Sequence, residues 1–190
     1  MFPAGHGHEA TATDRRCRRA LTISKKVCLL GEFGVGKTSL VRRAVYRRFD
    51  ERYISTIGVQ VTRKQLLVKR AGVPAELALM LWDLAGGDGA DMIRASYLSG
   101  AAAAVLVGDL TRPQTFQRLP HYLDLFYGQN PQGQVVLAAN KADLVDTSDP
   151  HMWDGAALHL SLGAPVFLCS AKTGGQVEEL FALLAGLLAG

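Results

Sequence analysis

Apolar positions along this chain follow two rhythms that alternate. From Lys25, "KKVCLL" is a short continuous apolar run that stops at Gly31, and the following "KTSLVRRAVYRRF" places Leu40, Val41, Ala44, Val45 and Phe49 at helical spacing. The pattern predicts strand, glycine loop, helix. "TIGVQVTRKQLLVKR" and "ELALMLWDL" then predict two strands joined at "AGVP", where Gly72 and Pro74 favour a turn. "DMIRASYLSG" predicts a short helix and "AAAAVLVGDL" a strand. Phe116, Leu119, Leu123 and Phe126 line one face of a helix that Pro120 must start or kink. "QVVLAAN" and "APVFLCSA" predict strands that are apolar throughout, as when both faces of a sheet are covered. Helical patterns follow each: "HMWDGAALHLSLG", and "QVEELFALLAGLLAG" with Val177, Leu180, Phe181 and Leu184 on one face. The expected fold is an α/β three-layer domain: a mostly parallel six-stranded sheet with one antiparallel edge strand and helices on both faces.

Residues 1 to 24, "MFPAGHGHEATATDRRCRRALTIS", show neither period and few large apolar groups, so a disordered tail is expected before a domain spanning 25–190. Composition agrees with one globular domain: 190 residues, 48% apolar and 20% charged. The net charge of +4 is too small to argue for nucleic acid. Half of it sits in the tail, where Arg15, Arg16, Arg18 and Arg19 stand against Glu9 and Asp14. The "RRCRR" cluster suggests at most a weak peripheral contact with an acidic membrane. His6 and His8 in the same stretch suggest a metal only weakly, and an isolated pair in such a tail is not expected to hold one. No run is long enough to span a membrane, and neither a signal core nor a lipidation box stands out, so a cytoplasmic monomer is expected. Cys17, Cys28 and Cys169 are odd in number and scattered, which fits small core residues in a reducing compartment.

In a parallel sheet, ligands meet the loops just past the carboxyl ends of the strands. "GEFGVGKT", Gly31 to Thr38, lies there and matches the G-x-x-x-x-G-K-[ST] phosphate loop between a predicted strand and helix. Glycine's access to positive φ lets backbone N–H groups wrap a phosphate, and the helix N-terminus adds its dipole. Gly31, Gly34, Val35, Gly36, Lys37, Thr38 and Ser39 are the candidate phosphate-binding residues, with Lys37 reaching the β- and γ-phosphates and Thr38 placed for Mg²⁺. The chain therefore carries the signature of a P-loop NTPase.

A second loop, "NKAD" at Asn140 to Asp143, directly follows the strand "QVVLAA". With "TIG" at Thr56, "WDLAG" at Asp83 to Gly86 and "CSAK" at Ser170 to Lys172, in that order, the chain resembles the Ras-like small GTPases over about residues 25–188. "GEFGVGKTSL" and "YISTIGV" look nearest to Rab-like members and their prokaryotic relatives. The resemblance implies that Asp143 accepts from the guanine N1–H and exocyclic amine, a donor pair adenine lacks. It further implies that Asn140 braces the loops, that Lys141 and Phe49 cover the two faces of the base, and that Ala171 offers its N–H to the guanine carbonyl while Ser170 and Lys172 complete that loop. Mg²⁺ would be held by Thr38, Thr56 and Asp83, and the γ-phosphate met by Lys37, Thr56 and Gly86. GTP or GDP is then the ligand, and loops near 50–60 and 84–98 are the switches that present it to effector, exchange and activating proteins. Trp82 is read as core packing.

Two positions depart from the family's pattern. Gly87 stands where the family usually has a Gln that orients the attacking water, and Phe33 stands inside the phosphate loop where a tiny residue is usual. Asp88 and Asp91 are acids near enough in sequence to substitute, although a solvated helix start is their expected role. Slow hydrolysis is the expectation, with Gly87 among the catalytic positions, and a GTP-binding recruitment module that has lost hydrolysis is the alternative. An ATP-dependent P-loop enzyme is a third reading, which "NKAD" disfavours.

Overall fold

All of β4, Ala103–Asp109, is buried, and the sheet is built outward from it. The computed structural model describes residues 22–50, 56, 58–85, 95–148 and 163–190. Within them the order is β1 (Thr22–Leu30), α1 (Lys37–Tyr46), β2 (Val59–Arg70), β3 (Val73–Leu84), α2 (Ala95–Leu98), β4, α3 (Gln114–Gln117), α4 (Leu119–Gln129), β5 (Gln134–Asn140), β6 (Val166–Leu168) and α5 (Val177–Ala189). The six strands lie in the order β2-β3-β1-β4-β5-β6. β1 runs parallel to β3 and β4, β4 to β5 and β5 to β6, while edge strand β2 is antiparallel to β3.

Strand side chains alternate between faces, so each inner strand feeds two cores. Val27 and Leu29 of β1 join Leu40, Val41 and Phe181 of α1 and α5 on one side. Cys28 and Leu30 join Leu98, Phe116 and Phe126 of α2, α3 and α4 on the other. This double burial explains the unbroken apolar runs. β2 behaves differently, with Val61, Arg63, Gln65 and Leu67 exposed and Thr62 and Lys64 turned inward. The buried Lys64 ammonium is satisfied by the Ala44 carbonyl at 2.7 Å and by Glu178 of α5 at 2.8 Å. Trp82 packs against the second core with Lys26 Nζ 4.0 Å from its ring centroid, in keeping with a packing role.

Several boundaries differ from the pattern's forecast. β1 begins at Thr22, three residues before the expected domain start, because Thr22, Ile23 and Ser24 continue the ladder with Glu76, Leu77 and Ala78 and Ile23 packs on the first core. The rest of the expected tail, residues 1–21, lies outside the described residues. α1 stops at Tyr46 rather than Phe49, since Arg47 turns left-handed at φ 53° while its N–H still bonds to the Arg43 carbonyl. The forecast third helix is two, with Pro120 in the first turn of α4, where its missing N–H is no loss. The hairpin turn is tighter than "AGVP": Ala71 (φ 48°) and Gly72 (φ 79°) make a two-residue turn, and β3 already includes Pro74, short of the stretch from Glu76 that pairs with β1. The helix forecast over "HMWDGAALHLSLG" falls outside the described residues up to Leu162.

Candidate functional site

The carboxyl ends of β1, β3 and β5, with the loop after β6, surround a cavity of about 390 Å³. Its phosphate-loop wall is made by Phe33, Gly34, Gly36, Lys37, Thr38 and Ser39, and its far wall by Asn140, Lys141, Asp143, Ala171 and Lys172, with Phe49 and Thr56 at the side. Phe33 and Lys172, about 140 positions apart in the chain, thus meet within one small volume, in the range of small-molecule sites.

The loop's shape follows from its glycines. Gly31, at φ 148°, passes so close to β4 that a Cβ would strike the Val107 carbonyl oxygen, and Gly36, at φ 98°, so close to β5 that one would strike the Asn140 amide. Between them the Val35 side chain is buried in the first core, which pins the loop's middle. Lys37 opens α1 and curls back, donating to the Gly31 carbonyl at 2.7 Å and the Glu32 carbonyl at 2.9 Å. Burial pushes its pKa down to about 8, against the pull of the Asp83 and Glu32 charges.

Three oxygens converge beside it. The Thr38 hydroxyl donates to Asp83 Oδ2 at 2.5 Å and lies 2.8 Å from the Thr56 hydroxyl, which is itself 3.3 Å from the same carboxylate oxygen. Asp83 is 1% exposed, and its Oδ1 has no hydrogen-bond partner among the described residues. Burial raises its pKa, opposed by the Thr38 hydrogen bond, the Lys37 charge, the Thr56 hydroxyl and the Arg42 charge. A buried carboxylate oxygen left over next to two hydroxyls suits a hard, oxygen-loving cation, and Mg²⁺ fits that donor set.

On the other wall Asn140 joins two loops at once. Its Nδ2 donates to the Val35 carbonyl at 2.8 Å and its Oδ1 accepts from the Ala171 N–H at 3.2 Å. Asp143 Oδ1 accepts from the Ser170 hydroxyl at 2.5 Å, and Ser170 Oγ accepts in turn from the Thr173 N–H at 3.0 Å. Arg43 of α1 donates to the Ala171 carbonyl at 2.7 Å and also to that of Lys172, so the helix behind the phosphate loop holds the opposite loop as well. Lys141 sits in a left-handed conformation at φ 67° with its ammonium 2.6 Å from Asp109. Phe49 and Leu144 line the cavity yet stay partly open to solvent, as apolar rims do before a flat ligand covers them.

Of the residues expected in the site, Gly86 and Gly87 lie outside the described residues, as do Asp88, Asp91 and most of the two switch segments. The others surround or support the cavity. Sequence reasoning overlooked Asp109 and Arg112. Asp109 ends an apolar strand as Asp83 does, and an acid closing a buried run was the signal that would have found it. Arg112 donates from Nε to Asp109 Oδ2 at 2.9 Å and from Nη2 to the Phe33 carbonyl at 2.9 Å.

A glycine-rich loop feeding α1, an acid and threonine at its mouth and an N-K-x-D loop two strands away define a P-loop nucleotide-binding domain of the small-GTPase class. The sequence model of the Ras family matches residues 26–189, and the chain belongs to that family. The Ras-related protein Rab-31 of Homo sapiens is 36% identical over 158 residues, covering 82% of this chain and 78% of the relative. Rab-31 of Rattus norvegicus is equally similar, and the Ras-related protein RABF2b of Arabidopsis thaliana is 36% identical over 161 residues, 84% of this chain and 78% of its own. The chain is a Rab-like small GTPase, with the mixed sheet and flanking helices of that fold. None of the described helices is long and apolar enough to cross a membrane.

Proposed function

We propose that this chain binds GTP and GDP with Mg²⁺ and acts as a slow molecular switch. One observation carries the reading: a phosphate loop with a buried lysine and a base loop with an acid held by Ser170 face each other across one cavity. In this reading Gly31, Gly34, Val35, Gly36, Lys37, Thr38 and Ser39 hold the phosphates. Asp143 has one oxygen occupied by Ser170 and turns the other to the guanine edge, with Lys141 and Phe49 on the faces of the base and Asn140, Ala171 and Lys172 completing the loop. Thr38, Thr56 and Asp83 would hold Mg²⁺, which supplies positive charge against the β- and γ-phosphates.

Hydrolysis joins a water oxygen to the γ-phosphorus and breaks its bond to the β–γ bridging oxygen, leaving GDP, with the water's proton passing to the phosphate product. Lys37 meets the charge that develops on the transferred oxygens. Gly87 offers no side chain to orient the water, so turnover is slow without an activating protein. The loops near 50–60 and 84–98 bind effectors in the GTP form, an exchange factor resets the switch, and the domain works as a cytoplasmic monomer with the arginine-rich N-terminal segment free to touch acidic lipid weakly.

The test is direct. Nucleotide released by denaturing the purified protein should be GDP or GTP, and excess GTP but not ATP should displace a bound fluorescent guanine nucleotide. Displacement by ATP at equal concentration would end the guanine assignment. A second reading, a recruitment module that binds GTP without hydrolysing it, is favoured by Gly87 and by Phe33, whose half-exposed side chain lines the cavity. Single-turnover assays separate the two, since only the switch converts bound GTP to GDP.

A further inference from the structure

Asp109, at the carboxyl end of β4, is completely buried and lies outside the lining of the cavity, yet it holds Lys141 of one wall directly and reaches Phe33 of the other through Arg112. Its Oδ2 takes the Lys141 ammonium at 2.6 Å and the Arg112 Nε at 2.9 Å, while its Oδ1 takes the Thr111 N–H and hydroxyl at 3.0 and 2.7 Å. Burial would raise its pKa, but Lys141, Thr111 and Arg112 together hold it below the usual carboxylate value, so the group is an anion in service. Arg112 uses its other arm on the phosphate loop, donating to the Phe33 carbonyl beside Gly34. One residue back along that loop, Arg118 lies 3.5 Å from the Glu32 carboxylate. A planar guanidinium reaches an acid and a carbonyl at fixed spacing with separate nitrogens, as a lysine ammonium does not.

We propose that Asp109 and Arg112 form an ionic relay joining the lysine of the base loop to the tip of the phosphate loop, with Arg112 a positioning residue that sets how long a nucleoside diphosphate is retained. The proposal rests on the guanine-nucleotide reading above. Arg112 touches no ligand atom in this scheme. It fixes the Phe33 carbonyl, and so the peptide leading into Gly34, in the place where the loop's N–H groups close on a β-phosphate. Because one side of the relay ends on Lys141 and the other on Phe33, cutting it at Arg112 releases the phosphate side and leaves the base side paired.

The full-length protein is loaded with fluorescent GDP and chased with unlabelled GDP, and its affinity for GMP is measured by competition. Arg112→Ala should speed GDP release about tenfold, the scale of one charge-assisted hydrogen bond, and change GMP affinity less than twofold, because GMP has no β-phosphate for the loop to hold. Arg112→Lys, which keeps the charge on Asp109 but not the fork, should fall between the two. The fold survives the change since Asp109 keeps Lys141 and Thr111, and thermal melting of the variants checks this. Unchanged GDP release in Arg112→Ala, or equal losses for GDP and GMP, overturns the relay. Failure of the unmodified protein to bind GDP overturns instead the reading on which the relay depends.

Discussion

Asn140 of β5 stands where a Cβ on Gly36 would have to be. The same amide bonds the Val35 carbonyl at 2.8 Å and the Ala171 N–H at 3.2 Å, so three loops share one side chain. Asn140→Ala leaves two buried backbone groups without partners at a cost of about 1–3 kcal/mol each before relaxation. We expect a loss of about 2 kcal/mol in denaturant unfolding and at least about tenfold faster release of guanine nucleotide. A variant with unchanged unfolding midpoint and release rate would show that the bridge is incidental.

Asp143 presents one oxygen to Ser170 at 2.5 Å, which orients the carboxylate; in the proposed base site that carboxylate meets a pair of N–H donors. Asp143→Asn replaces an acceptor by a donor at that edge. Preference should move from GTP toward xanthosine triphosphate, whose carbonyl takes the place of the exocyclic amine. Competition titrations with the two nucleotides measure the change, and an unaltered ratio removes Asp143 from the base site.

A Mg²⁺ site at the Thr38 hydroxyl and the spare oxygen of Asp83, as proposed, predicts that retention of nucleotide depends on the ion. Chelation by EDTA should accelerate GDP release from the unmodified protein by about tenfold or more, the worth of losing a charge-assisted contact. In Asp83→Ala the starting rate should already be high and EDTA should add little. Equal acceleration by EDTA in both proteins would place the ion elsewhere.

Burial, not chemistry, governs the cysteines. The Cys28 thiol is pushed up to about 11 and that of Cys169 to about 12, in each case by loss of water around the thiolate. At pH 8 roughly one Cys28 thiol in a thousand is ionised, and the thiolate is the reactive form. In a Cys17→Ser variant, thiol reagent should therefore titrate almost nothing at pH 8 until denaturant is added. Rapid modification of either remaining thiol in the folded protein would contradict this packing.

What the residue pattern made legible follows from which interactions are local. The strand, loop and helix from Lys25 to Tyr46 read correctly because apolar spacing and the glycine motif are contained within a few residues. The six-stranded mixed sheet followed from unbroken apolar runs, which only a doubly covered strand needs. Thr22 and Ile23 were misassigned to the tail because their reason to be a strand is β3, fifty-four residues away, and not their neighbours. The pairings of Lys64 with Glu178 and of Asp109 with Lys141 were not legible for the same reason: the partner that satisfies each buried charge lies far along the chain. The pairing of Thr38 with Asp83 was expected from family resemblance alone, since nothing in either residue's own surroundings predicts the other.

Gly87 carries the last prediction. Attack of water on the γ-phosphate needs a group that places the nucleophile as well as positive charge on the transferred oxygens. In the proposed site Lys37 answers the second need together with the Mg²⁺ that Thr38, Thr56 and Asp83 would hold, and no side chain at Gly87 answers the first. Ras, with a Gln at the equivalent place, turns over at about 4 × 10⁻⁴ s⁻¹ unaided. We expect this chain at or below that rate in single-turnover assays. Gly87→Gln should raise it. The gain should be larger in a Gly87→Gln, Phe33→Gly double variant, because the Phe33 side chain lines the same cavity and its removal would free space there. Fast hydrolysis by the unmodified protein would sink the idea and point to Asp88 or Asp91 as the residue that already holds the water.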